Sequence, residues 1–196
     1  LVTDPNTGAI LAMVGSPDFN NADIDGQINY TLTWEQPGSS IKPIVYTAAI
    51  NGIDRNGDGQ ITADEYLTPA SILWDVPTVF PGNYQPVNFD GQFHGPTALR
   101  YALDNSYNVP SVKVYDFVGN DAFRQMAELL GLTFLPEAQF GLPTGIGATE
   151  VRLYDMVQAY GTLATGGIRV QPYAIARIVD STGAEVPVPA RNGQQH

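Results

Sequence analysis

Apolar residues recur three or four apart in the stretches Thr97 to Leu103, Val109 to Val118, Asp121 to Leu130 and Val151 to Ala164, and this spacing predicts helices. Gly119, Gly131 and the pair Gly166-Gly167 stop three of them, because glycine adopts the left-handed conformation that closes a helix without steric cost. A further helix is predicted over Pro43 to Ile50, ended by Asn51-Gly52. Pro43 fixes its start, since proline is tolerated only in a first turn, where N–H groups have no intrahelical acceptor. Leu1 to Val14 reads as two short strands around the turn Asp4-Pro5-Asn6-Thr7-Gly8, and Tyr173 to Val188 as a β-hairpin about Asp180-Ser181-Thr182-Gly183.

Between these elements, Leu67 to Pro96 is rich in proline, glycine and aromatics and reads as extended or looped chain packed on a core. Trp74, Phe80, Tyr84, Phe89 and Phe93 are irregularly spaced, which predicts buried wall over an exposed stripe. There is no internal repeat. The pattern predicts an α+β fold, with a central antiparallel sheet built from the first strands and the last hairpin and covered by helices.

Composition narrows the function classes. The chain has 196 residues, enough for one sizeable core, with 43% hydrophobic and 15% charged residues, which excludes a disordered chain. A net charge of −11 and no Lys/Arg cluster disfavour nucleic acid as a partner. The absence of cysteine removes disulfides, thiolate metal sites and thiol nucleophiles together. No apolar run approaches the roughly 20 residues that span a bilayer.

Only two lysines occur, Lys42 and Lys113, and Lys42 follows a serine by three positions in Gln36-Pro37-Gly38-Ser39-Ser40-Ile41-Lys42-Pro43. On a helix Ser39 and Lys42 lie one turn apart on one face, the spacing of a nucleophile and its base. A serine at a helix start also has backbone N–H groups and the positive end of the dipole beside it, which suit a developing oxyanion. A second polar element, Asn105-Ser106-Tyr107-Asn108-Val109-Pro110, enters the next helix. Taken alone, Ser106 or Asn108 reads as a helix cap.

Ser-x-x-Lys at a helix start, followed by Ser-x-Asn in a downstream loop, is the order found in penicillin-interactive serine enzymes. Further matching words are Asp4 to Gly15, Gln36 to Pro43, Asn88-Phe89-Asp90-Gly91 and Glu150 to Tyr160. Together they resemble the transpeptidase domain of class A, bifunctional high-molecular-weight penicillin-binding proteins, across nearly all of the chain apart from one insertion. The resemblance implies a partial transpeptidase domain over residues 1–196 with the fold shared by serine β-lactamases.

It also implies roles. Ser39 would attack the penultimate D-Ala carbonyl of a peptidoglycan stem peptide, release the terminal D-Ala, and hold the acyl group until an amine of a neighbouring stem takes it. Lys42 would be the base, Ser106 would pass the proton to the leaving amine, and Asn108 would hold Lys42 and the substrate amide. β-Lactams would acylate Ser39. The setting would be the outer face of the cytoplasmic membrane, with an anchor and a glycosyltransferase domain ahead of Leu1 in the parent. The family's third motif, Lys-Thr-Gly or Lys-Ser-Gly, is absent from these residues. The expectation is a fragment inactive alone, its missing piece a partner supplying the second oxyanion donor.

The insertion carries its own chemistry. Asp54-Arg55-Asn56-Gly57-Asp58-Gly59-Gln60-Ile61-Thr62-Ala63-Asp64-Glu65 matches the twelve-residue EF-hand calcium loop. Asp54, Asn56 and Asp58 supply oxygens, Gln60 a backbone carbonyl, Thr62 a direct or water-borne ligand and Glu65 two oxygens, while Gly59 permits the sharp turn. Ca²⁺ fits this many oxygens better than Mg²⁺. The expected role is structural: calcium stiffens the end of the Ser39 helix and staples the insertion.

Other candidates read more plainly. His94 is a loop hydrogen-bond donor, Glu150 a first-turn helix acid, and Gly141 to Gly147 an ordinary loop lacking the Gly-Lys-Ser/Thr ending of a phosphate cradle. Two rival functions are a hydrolase on the same serine, carboxypeptidase or β-lactamase, and a non-enzymatic calcium-dependent binding module.

Overall fold

The structure, a computed structural model, describes residues 1–188 and the backbone of residues 193–195. The other residues of the expected 1–196 domain lie outside this description. The strands are β1 (Val2–Thr3), β2 (Ile10–Ala12), β3 (Trp34–Glu35), β4 (Ile72–Asp75), β5 (Gly95–Ala98), β6 (Val151–Arg152), β7 (Ile168–Val170), β8 (Ile178–Val179), β9 (Glu185–Val186) and β10 (Gly193–Gln195). The helices are α1 (Lys42–Asn51), α2 (Leu99–Asp104), α3 (Asn108–Val118), α4 (Asn120–Leu130) and α5 (Leu153–Ala164). Contacts sort the chain into two compact units: Leu1–Glu35 with Ala127–Phe134 and Val151–His196, and Gln36–Met126 with Leu135–Glu150.

In the first unit, β1 and β2 pair antiparallel about the expected turn, where Gly8 N donates to Asp4 O at 2.8 Å. β3 pairs with β6, β7 with β10, and β8 with β9 in the register Ile178↔Val186. The class is α+β as expected. However, the first strands and the last hairpin do not share one central sheet among the described residues. Every sheet there has two strands, and the first hairpin meets the later chain through one parallel bridge, Ala9↔Tyr173. Strands of two or three residues offer too few ladder steps to build more.

In the second unit, α1 packs against α3, and α3 against a 3-10 turn at Leu142–Ile146. Ile41, Ile44, Val45, Ala48 and Ala49 are buried there, as are Val109, Val112, Tyr115 and Phe123. α1 carries Pro43 in its first turn and ends at Gly52, φ +93°, as the sequence predicts. α3 ends at Gly119, φ +76°, whose N–H closes on Tyr115 O.

Two helices begin later than expected. Residues 95–98 form β5 before α2, and residues 151–152 form β6 before α5, so Glu150 lies outside the helix and Asp155 is its first-turn acid. The stretch before Pro96 holds β4, paired with β5 from Ile72↔Ala98 to Asp75↔Gly95. This pairing corrects the reading of the aromatics. Alternation along β4 exposes Ile72 and Trp74 and buries Asp75, Phe89 is fully exposed and Phe93 partly so, and only Phe80 is buried wall.

Candidate active site

Ser39 does not sit in α1 itself. It lies in a 3-10 turn, Gly38–Ile41, that leads into the helix and whose Ser39 carbonyl accepts the Lys42 backbone N–H. This turn is shaped by two glycines. Gly38 has φ +55°, and Gly147 has φ +88° and lies so close that a Cβ there would meet Gly38 O at 2.1 Å and Gly38 N at 2.4 Å. The Gly141 to Gly147 loop is therefore a packing element, since only a residue without a side chain fits against the turn. Ser111 on α3 donates from Oγ to Gly145 O at 2.6 Å and ties the loop down.

Lys42 is 1% exposed. Its Nζ donates to Ser106 O at 2.6 Å, Ser106 Oγ at 3.1 Å and Asn108 Oδ1 at 2.8 Å. Burial pushes its pKa down to about 8, because an ammonium loses hydration there. Ser106 sits between α2 and α3 at φ +55°, a left-handed position uncommon for a side-chain-bearing residue, which aims its carbonyl at the amine. The structure thus brings together Lys42, Ser106 and Asn108.

The Ser39 hydroxyl is exposed and, among the described residues, makes no hydrogen bond to the Lys42 amine. The three N–H groups of the ammonium are taken by three oxygens of residues 106–108. An amine without its third proton would have a lone pair free for a serine proton.

Sequence reasoning missed a second layer behind this site. Asn88 accepts through Oδ1 from the N–H groups of Asn108 and Val109 at 2.7 and 3.2 Å. Its Nδ2 reaches the buried Asp75, and His94 lies between Asp75 and Asp90, at 2.7 and 3.1 Å. The hydrogen-bonding part expected for His94 holds, through its N–H to Asp75 at 2.9 Å. The visible signal was Asn88 at the head of Asn-Phe-Asp-Gly, but its partners on β4 and α3 share no spacing with it.

The 54–65 loop follows α1 after Gly52 and Ile53 and is tied back to it by Leu67 N to Ala49 O and Ile53 N to Glu65 O, both 2.8 Å. Asp54 accepts from the N–H groups of Gly57, Asp58 and Gly59, and Asp58 from that of Gln60. Asn56 Oδ1 accepts from Asp58 N at 3.0 Å. Glu65 is buried, and its oxygens accept from Arg55 N, Thr62 N and Thr62 Oγ1, bonds that lower its pKa. No helix follows Glu65 before β4. Among the described residues, no three His, Cys, Asp or Glu side chains are grouped to hold a metal ion. No helix among them is long and apolar enough to cross a membrane.

Residues 1–195 match a family described as the penicillin binding protein transpeptidase domain. Penicillin-binding protein 2D of Bacillus subtilis (strain 168) is 33% identical over 187 residues, covering 92% of this chain and 24% of that protein. The chain spans about a quarter of such relatives. Among solved structures, penicillin-binding protein 1A of Haemophilus influenzae is 28% identical with a TM-score of 0.71, over 86% of this chain and 24% of that one. Penicillin-binding protein A of M. tuberculosis, solved as an imipenem acyl-enzyme complex, shares the fold at a TM-score of 0.76 and 24% identity, over 98% of this chain and 52% of that one.

Proposed function

Because the chain belongs to the penicillin-binding protein transpeptidase family, we propose that it carries the acylating half of a D,D-transpeptidase site that cross-links peptidoglycan stem peptides outside the cytoplasmic membrane. The observation that carries this reading is the buried Lys42 amine, bonded at once to Ser106 and Asn108 from a distant loop.

Ser39 Oγ attacks the carbonyl carbon of the penultimate D-Ala and gives its proton to the neutral Lys42 amine. Ser106 Oγ, 3.1 Å from that amine, relays the proton to the departing nitrogen as the C–N bond breaks and the terminal D-Ala leaves. An amine of a second stem peptide then displaces Ser39 from the acyl carbon. A β-lactam enters the same first step, and its opened ring leaves no departing amine.

The test is covalent labelling of the intact protein carrying this chain with a fluorescent penicillin, followed by peptide mapping. The adduct is expected on Ser39 and is abolished by Ser39→Ala; an adduct on another residue, or none, overturns the assignment. Release of the acyl group to water faster than to a stem-peptide amine favours the carboxypeptidase or β-lactamase reading.

The 54–65 loop is a calcium site in this proposal. Its support is the agreement of Asp54, Asn56, Asp58, Gln60, Thr62 and Glu65 with the ligand positions, together with the loop's attachment to α1. A bound Ca²⁺ would supply charge to offset clustered carboxylates, and Glu65 would exchange its N–H bonds for the ion. Millimolar calcium is expected to raise the melting temperature and a chelator to reverse this, with the effect lost in Glu65→Gln. An unchanged melting temperature removes the structural role. A calcium response in a protein that no penicillin labels would favour the non-enzymatic binding module.

A further inference from the structure

Nothing local holds the start of α3. Tyr107, the preceding residue, offers no side-chain cap, and an uncapped helix leaves its first N–H groups without acceptors. Those groups are met from far upstream, by Asn88 Oδ1 at 2.7 Å from Asn108 N and 3.2 Å from Val109 N. Asn88 is 3% exposed, so an amide turned the wrong way could not trade its lost bonds for water.

Its orientation is dictated at the other end. Nδ2 donates to Asp75 Oδ1 at 2.9 Å, to Asp75 Oδ2 at 2.7 Å and to Gln92 O at 2.8 Å. A carboxylate and a carbonyl only accept, so the amino group must face Asp75 and the oxygen must face α3. Asp75 is fully buried, and it also receives His94 N at 2.9 Å and His94 Nδ1 at 2.7 Å. The His94 ring stacks on Tyr107 with centroids 4.0 Å apart and an interplanar angle of 11°. One buried carboxylate therefore grips the Ser106–Asn108 loop at two points, through its backbone and through its middle side chain.

We propose that Asn88, oriented by the buried carboxylate of Asp75, is a positioning residue that holds Asn108 Oδ1 and the Ser106 carbonyl where the Lys42 amine meets them. The inference rests on the acyl-transfer reading above. Asn88 hydrogen-bonds to neither Lys42 nor Ser39 and acts through Asn108, whose side chain is fixed in addition by Nδ2 donating to Val87 O at 2.9 Å. A shift of about 1 Å at a catalytic group can cost on the order of 100-fold in rate, so the cap matters beyond stability.

The experiment compares the intact protein carrying this chain with its Asn88→Ala, Asn88→Ser and Asp75→Asn variants. Stopped-flow labelling with a fluorescent penicillin separates the non-covalent Kd from the acylation rate constant. Hydrogen exchange without any β-lactam reads the Asn108 and Val109 amides. Asn88→Ala and Asp75→Asn are expected to lower the acylation constant about 10- to 100-fold while Kd and the labelled fraction hold. The two amides should exchange about tenfold faster or more, with α1 unchanged. Asn88→Ser, which keeps an acceptor, should fall between.

Misfolding lowers the labelled fraction and leaves the rate constant of the remainder alone, so it cannot imitate the expected result. An unchanged acylation constant in labelled Asn88→Ala overturns the proposal, as does unchanged exchange at Asn108 and Val109. A parent that no penicillin labels sinks the acyl-transfer reading instead, and the exchange measurement still decides whether Asn88 holds α3.

Discussion

Lys42 is a cation in a place that disfavours cations. Its stem is packed in the apolar core, and its amine is met by three neutral oxygens with no carboxylate among them. The folded protein therefore holds its proton only to a pH of about 8, whereas the unfolded chain holds it to 10.5. Between those values the unfolded state binds more protons, so this residue's contribution to stability rises with pH through that window, and below about 8 its cost is borne in full. The rise in urea midpoint across this window should shrink in Lys42→Met. Acylation of Ser39 should climb with pH through about 8 and then level off as the amine becomes neutral. Lys42→Arg, a cation that keeps its proton, should lose about 10²- to 10⁴-fold in acylation rate.

At the scale of elements, the turn bearing Ser39 is held by a loop that has no chemistry of its own. Gly147→Ala forces a Cβ onto the Gly38 backbone from a left-handed position, and nothing flexible is available to move aside. The substitution should cost about 2–4 kcal/mol in denaturant titration, with slower acylation of Ser39 in the folded fraction. Helix α3 shows the same dependence on distant residues. Its start is capped by Asn88, its middle is bound to Gly145 through Ser111, and its end lies near the calcium-loop candidate, where the Arg55 guanidinium sits 4.9 Å from the Phe117 ring centroid. An account of this helix from its own residues would give its length and miss what fixes its position.

At the scale of the whole molecule, each unit is assembled from segments far apart in the chain, so single polar contacts can carry an assembly role. In the first unit, Asp155 is 2% exposed and receives Arg152 through Nε and Nη2, both at 3.0 Å, and Thr133 Oγ1 at 2.6 Å. The same guanidinium lies 5.1 Å from the Trp34 ring centroid, so this cluster joins all three segments of the unit. Asp155→Ala removes the carboxylate that Arg152 and Thr133 share and should destabilise by about 1–3 kcal/mol, read as a fall in thermal midpoint. The apolar spacing starts this helix at Val151 and so points to Glu150, whereas β6 takes Val151–Arg152 and makes Asp155 the first-turn acid.

The sequence by itself determined what depends on near neighbours. Pro43 and Gly52 bound α1, Gly119 ends α3, Asp180 to Gly183 turn the last hairpin, and the Ser-x-x-Lys and Ser-x-Asn words mark the candidate site, because each acts through backbone preferences or spacing within a turn or two. Only the tertiary structure decided which oxygens surround Lys42, that Gly147 must lack a side chain, and that Asn88 caps a helix it does not belong to. Those outcomes depend on contacts between residues tens of positions apart, and no local propensity encodes the distance between two segments until the core has brought them together.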